Sequence, residues 1–235
     1  MEREKRLARI AGSLYLVVAV LGGFAELYVR SRIVEPGNAA ATADNIRASA
    51  TLFRLGFASD LVQATFFLFT AMALYLLLRH VDELVARAMV VIVGVSVAII
   101  CLNLLNQFVA LQIAVGEASV PAAGSDALAG LFVEMHAAGY LIAQIFFGLW
   151  LVPLGYLVYR SGLFPRAIGV LLAVGCVGYL ADTFVQFLAP GIAEGVEPFV
   201  ATPAAIGELS LIVWLLVKGV RVVDRGSATP APAFA

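Results

Sequence analysis

The chain alternates between long apolar stretches and short segments that contain charged residues, proline or glycine. Six stretches reach the ~18 apolar residues that an α-helix needs to cross a bilayer. We therefore predict an all-α membrane protein, a bundle of six transmembrane helices that forms one domain over residues 1–225. The predicted spans are about 8–29, 54–78, 88–113, 131–159, 167–188 and 203–220.

The connection between the first two spans has a helical pattern of its own over residues 33–52. Asn38 or Thr42 is suited to cap a helix that places Ile46 and Phe53 on one face. We expect this short helix to lie on the outer surface of the membrane.

Two other segments have clear local signals. Gly162 follows the fourth span and Pro165 precedes the fifth, which predicts a tight turn between antiparallel helices. Residues 226–235 are rich in proline and alanine, so we expect a disordered C-terminal tail.

Composition supports a membrane protein and charge gives its orientation. Hydrophobic residues make up 62% of the chain, charged residues 13%, and the mean hydropathy is +0.99. Eleven of the fifteen Lys and Arg lie in the segments 1–9, 79–87, 160–166 and 218–225, which the positive-inside rule places in the cytoplasm. We predict a multi-pass protein of the bacterial cytoplasmic (inner) membrane with both termini inside. Its expected partner is the lipid bilayer and not nucleic acid; the oligomeric state stays open.

The first span also has features of a secretory signal, with small residues Gly23 and Ala25 at cleavage-like spacing. We favour a retained helix, because Glu26 then takes part in a spacing that the other spans share.

That spacing joins polar residues within the spans to basic residues at their ends. The interval is sixteen residues in four pairs and seventeen in the fifth, or about 24 Å along a helix. The five polar groups are therefore predicted at one level of the bilayer, where uncompensated polar atoms are costly and a functional site is expected. The pairs are Gln63 with Arg79, Asn103 with Arg87, Gln144 with Arg160, Asp182 with Arg166 and Glu26 with Arg9.

Further polar residues share helical faces with these five, so we predict a ligand site inside the bundle. Four of its members are carboxylates, and the nearby bases are Arg54 and Arg30, which favours an acidic cavity that opens to the outer face and binds a small polar or cationic ligand. The alternative is a structural or assembly subunit without ligand, in which the same groups satisfy one another across helices. The predicted site comprises Glu26, Arg54, Asp60, Gln63, Asn103, Gln107, Tyr140, Gln144, Asp182, Gln186 and Glu208.

A membrane-embedded enzyme that acts on a lipid or a lipid-soluble substrate is a third alternative. His136 is a weak metal candidate, because it lies 24 residues before Arg160, about 36 Å along a helix, where we expect a solvated histidine at the outer interface. Ser59 and Asp60 with His136 are the available catalytic combination. No common catalytic or cofactor motif occurs, so catalytic residues and cofactors are left unassigned.

The sequence also favours a parallel internal repeat. Shifting residues 87–113 by 79 positions pairs Asn103 with Asp182, and the preceding spans align Gln63 with Gln144 at a shift of 81. Chance matching between apolar segments is the alternative explanation.

Three runs carry a resemblance to a known family: FRLGFASDL from Phe53, the segment Tyr140 to Leu172, and GYLADTF from Gly178. With them the chain resembles an uncharacterised family of bacterial multi-span integral membrane proteins, a domain of unknown function, over about residues 7–222. The resemblance implies a membrane fold and brings no reaction, ligand or catalytic residue with it.

Overall fold

The structure is a computed structural model that describes residues 2–221, with the side chains of 194 and 196–201 outside the description. Within that part of the chain every regular element is a helix, so the predicted all-α fold is confirmed. The predicted tail, 226–235, lies outside the described residues. The helices are α1 (Glu2–Ile33), α2 (Ala39–Ala48), α3 (Ala50–Leu78), α4 (Glu83–Ala114), α5 (Ser125–Ser161), α6 (Arg166–Leu188) and α7 (Pro190–Val217).

Five helices, α1, α3, α4, α5 and α6, are long and apolar enough to cross a membrane. The apolar part of α7 within the described residues, Thr202–Val217, is shorter. The sixth span therefore stays a prediction. The short helix expected after the first span is present as α2, and the side chain of Asn38 caps it by accepting a hydrogen bond from the Ala41 amide at 3.0 Å.

The long helices form a closed ring in chain order. Each of α1, α3, α4, α5, α6 and α7 packs against the next, and α7 packs against α1. Small residues allow close approach: a Cβ added to Gly155 of α5 would lie 2.7 Å from the carbonyl oxygen of Gly169 in α6. The tight turn predicted between these two helices is confirmed, with Gly162 at φ 68°.

The basic segments gather at one end of the ring, which we call the basic end. The amide of Arg221 donates to the carbonyl oxygen of Leu163 at 2.9 Å, and a Cβ on Gly219 would lie 3.8 Å from Lys5. Arg3 and Arg79 line one groove at the same end. The four segments that the positive-inside rule groups together are therefore neighbours in space.

The main hydrophobic core fills the basic half of the ring. All six ring helices contribute to it, from Ala8 in α1 to Leu215 in α7. On the side of this core that faces away from the basic end, Trp150 makes edge-to-face contacts with Tyr15 and Phe67, with ring centroids 5.6 and 5.0 Å apart. Side chains from α1, α2, α3, α4 and α5 form a second, smaller core at the opposite end. Most of the predicted polar residues lie between these two layers.

Candidate functional site

The first polar contact in the interior joins α1 to α3. Arg30 Nη1 lies 2.5 Å from Asp60 Oδ2, and its Nη2 lies 2.6 Å from Glu26 Oε2. Arg30 and Asp60 are buried, with 12% and 6% of their side chains exposed, whereas Glu26 is half exposed. Residues Phe24–Arg30 form a π-helical turn, a feature that is frequent at functional sites.

The second contact joins α5 to α6. Gln144 Nε2 donates to Asp182 Oδ2 at 2.5 Å, and Gln186 Nε2 donates to the same oxygen at 3.0 Å. Asp182 is buried. In the part of the chain that the structure describes, this carboxylate has amide donors and no basic partner.

The third contact joins α7 to both α1 and α6. The hydroxyl of Tyr15 donates to Glu208 Oε2, and the hydroxyl of Tyr179 donates to Oε1 at 3.2 Å. Glu208 too has no basic partner within residues 2–221. Two phenol hydroxyls, and not a cation, therefore contact this carboxylate. The contact lies on the side of the polar layer that is nearest the main core.

Tyr140 of α5 lies beside the first of these contacts. Its ring is 5.8 Å from the guanidinium carbon of Arg30. We call the whole set the interior polar cluster: Tyr15, Glu26, Arg30, Asp60, Tyr140, Gln144, Tyr179, Asp182, Gln186 and Glu208.

Two members of this cluster were not predicted from the sequence, and a third was given a smaller role than it has. Tyr15 and Tyr179 were not assigned, and Arg30 was only a secondary base. A signal was present for Tyr179, which lies three residues before Asp182 on the same helical face. Tyr15 lies eleven residues before Glu26, close to three full turns of α1.

Asn103 and His136 pair separately, between α4 and α5. Asn103 Nδ2 donates to the His136 carbonyl oxygen at 2.8 Å, and His136 Nδ1 lies 3.3 Å from the carbonyl oxygen of Asn103. His136 is only 6% exposed, so the expectation of a solvated interfacial histidine is wrong. The number of residues between His136 and Arg160 gives only a distance along the axis of α5. The burial of His136 depends on α4, which covers this side of the helix.

Besides Asn103, three predicted site residues lie apart from the cluster's hydrogen bonds. Gln63 is half-buried against Gly22 of α1. Arg54 is exposed at the end of the ring opposite the basic end and pairs with Glu117 at 3.6 Å. The base that contacts the buried carboxylates is therefore Arg30 and not Arg54. Gln107 is buried beside a cavity of about 140 Å³ that Arg54 also lines.

Gln107 gives a direct test of whether a buried amide is structural. Neither its Nε2 nor its Oε1 has a hydrogen-bond partner among the described residues. We expect Gln107→Met to raise the free energy of unfolding by about 1 kcal/mol, because it removes unsatisfied buried polar atoms. Gln144→Met is the matched control; it removes a donor from Asp182 and should lower the free energy of unfolding by about 2 kcal/mol. Denaturant titration in mixed micelles measures both, and a loss of stability in Gln107→Met would show that its amide has a partner.

The described residues contain no group of three or more His, Cys, Asp and Glu side chains arranged to hold a metal ion. The four carboxylates of the interior polar cluster belong instead to separate contacts with arginine, amide and phenol groups. The arrangement can stabilise positive charge at Asp182 and Glu208, whose present donors are neutral.

The closed ring of apolar helices and its buried polar layer define an integral membrane protein. The family model described as a domain of unknown function, DUF4386, matches residues 10–219. The chain therefore belongs to this family, and the family expected from its sequence is confirmed.

One relative is described as an uncharacterized protein from Archaeoglobus fulgidus. It is 34% identical over 89 residues, which are 38% of this chain. The aligned part covers 51% of the relative, so the chain spans about half of that protein's length. No solved structure matches the chain significantly.

Proposed function

We propose that the interior polar cluster binds a small cation that enters from the outer face of the membrane. One observation carries the proposal: Asp182 and Glu208 are held by neutral donors and have no basic partner within residues 2–221. Removing ionised carboxylates from water is costly, and a bound cation would offset that cost.

The charges of the cluster support the same proposal. The cluster holds four carboxyl groups, those of Glu26, Asp60, Asp182 and Glu208, but one base, Arg30, whose guanidinium contacts only Glu26 and Asp60 among them. A purely structural network in a membrane would tend toward neutrality, since unpaired charge is expensive there. The phenol hydroxyls and glutamine amides supply oriented polar groups around the proposed cation.

The direction of access follows from the layers of the ring. The main core seals the cluster from the basic end, with Trp150 and Tyr15 at the boundary. The basic end is the cytoplasmic end by the positive-inside rule, so we infer that a cation reaches the cluster from the outside, past the smaller second core. Both termini would then face the cytoplasm of a bacterial inner membrane, with α7 as the sixth span.

The hydrogen bonds of Asp60 and His136 give the enzymatic alternative less support than the cation site. Asp60 is bonded to Arg30, and His136 is bonded to Asn103. The internal repeat also stays a prediction, since Gln144 bonds to Asp182 whereas Asn103, the predicted counterpart of Asp182, bonds to His136.

Thermal unfolding of the protein in lipid nanodiscs tests the proposal. Unfolding is compared in NaCl, KCl and MgCl2 at constant ionic strength, with choline chloride as the reference. At least one of the three cations should stabilise the protein, by about 2 to 3 kcal/mol when its concentration is a hundred times its Kd.

Asp182→Asn keeps an acceptor for Gln144 and removes the charge, so it should abolish the stabilisation that is specific to that cation. Glu117→Gln removes an exposed carboxylate outside the cluster and should preserve it. The proposal fails if the wild-type protein responds equally to all four salts, or if Asp182→Asn and Glu208→Gln both keep the wild-type response.

A further inference from the structure

A groove at the basic end has no role in the interior polar cluster. It lies between the start of α1 and the end of α3 and has a volume of about 520 Å³. Three arginines and a histidine line it together with Glu4 and four aliphatic side chains. The residues that the argument uses are Arg3, Arg6, Ile10, Leu76, Arg79 and His80.

The arginines of this groove are not committed to carboxylates. Within residues 2–221, Arg3, Arg6 and Arg79 form no ion pair. Arg79 instead lies over the ring of Tyr75, with its guanidinium carbon 5.9 Å from the centroid. Guanidinium groups bind phosphate oxygens through paired hydrogen bonds, so their convergence creates a site for a phosphate-bearing anion.

The apolar part of the groove lies deeper in the membrane than the charges. Ile10 is one turn beyond Arg6 in α1, and Leu76 is about one turn before Arg79 in α3, each on the side of the bilayer centre. Both side chains are about half exposed, at 44% and 52%. A cationic rim above an exposed aliphatic floor matches an amphiphile with an anionic head and a hydrocarbon chain.

We propose that this groove binds one anionic phospholipid of the surrounding leaflet. Its phosphate lies among Arg3, Arg6 and Arg79, and an acyl chain runs along Ile10 and Leu76. A basic recess between helices at the cytoplasmic side is the kind of site that holds anionic headgroups. The aliphatic floor distinguishes a phospholipid from a free phosphate ion, which has nothing to place there.

Native mass spectrometry with phosphatidylglycerol and phosphatidylcholine of identical chains tests the proposal. The wild-type protein should bind phosphatidylglycerol at least about tenfold more tightly. A variant with Arg3→Gln, Arg6→Gln and Arg79→Gln should lose that preference. The matched control carries Arg87→Gln, Arg160→Gln and Arg166→Gln, which removes the same charge outside the groove, and it should keep the preference.

Two measurements on the wild-type protein test the proposal even if the groove variant does not fold. Raising the salt concentration should reduce the preference for phosphatidylglycerol, because charge drives it. Inorganic phosphate at the lipid concentration should not displace the lipid. The proposal is overturned if the groove variant keeps the preference, if the control loses it equally, if the preference is insensitive to salt, or if inorganic phosphate competes as well as the lipid.

Discussion

Replacing Arg30 with methionine is expected to lower the free energy of unfolding by about 4 kcal/mol, the largest stability loss of any single substitution considered for this protein. Arg30 is the only base that contacts Asp60 and Glu26 within the described chain. Methionine keeps the aliphatic bulk and leaves the buried Asp60 carboxylate without a counter-charge. Denaturant titration of the purified protein in mixed micelles measures the effect.

Two further variants separate charge from packing. Arg32→Met changes an exposed arginine, whose guanidinium carbon lies 3.7 Å from the centroid of the Tyr28 ring, and should cost less than about 1 kcal/mol. Arg30→Met combined with Asp60→Leu replaces the whole buried pair with apolar groups and should recover most of the lost stability. If Arg30→Met lowers the free energy of unfolding no more than Arg32→Met does, the buried ion pair does not hold α1 against α3.

Gly139→Ala is expected to lower the free energy of unfolding by about 3 kcal/mol. An added Cβ would overlap with the side-chain amide of Asn103 in α4. That amide cannot move freely, because its Nδ2 donates to His136 and its Oδ1 accepts from Asn106 at 3.0 Å. The expected cost combines overpacking with the loss of buried hydrogen bonds.

A double-mutant cycle measures this coupling directly. Asn103→Ala removes the amide that the new Cβ would meet, so Gly139→Ala should cost much less in that background. Gly94→Ala is the control on α4, because a Cβ there meets nothing within 4 Å and alanine is the better helix former. Equal costs of Gly139→Ala in the two backgrounds would contradict the close packing of α4 on α5 at this point.

The sequence predicts the fold better than the contacts of the site. Apolar stretch length predicted the helices, and the α-helical faces brought Gln144, Asp182 and Gln186 together correctly. The sequence did not predict that Arg30 is the base that contacts Asp60 and Glu26, and the reason is physical. The π-helical turn Phe24–Arg30 changes the number of residues per turn, so positions extrapolated along α1 from an ideal helix are out of phase by its end.

Contacts between neighbouring helices account for the other differences between the predicted and the observed site. Spacing along a helix gives depth, but it does not give which neighbouring helix covers a side chain. Arg54 lies less than two turns from Asp60 on α3 and yet pairs with Glu117, and His136 is covered by α4. Tyr15 reaches Glu208 because a tyrosine hydroxyl lies far from its own backbone, beyond the level that its sequence position indicates.

The account depends on one claim, that polar side chains from several helices face a common interior that water reaches from the outer side. Cysteine accessibility tests it in a chain with Cys101→Ala and Cys176→Ala, using a charged thiol reagent that does not cross membranes. Tyr140→Cys lies in the interior polar cluster, and Ile142→Cys, two residues away on α5, lies on the outward face of the ring, where 48% of Ile142 is exposed.

In cells whose outer membrane or wall has been removed and whose cytoplasmic membrane is intact, we predict rapid labelling of Tyr140→Cys. Labelling of Ile142→Cys should be negligible, since lipid covers it. Labelling of Ile142→Cys with Tyr140→Cys protected would contradict it and would place the polar residues outside any water-accessible interior.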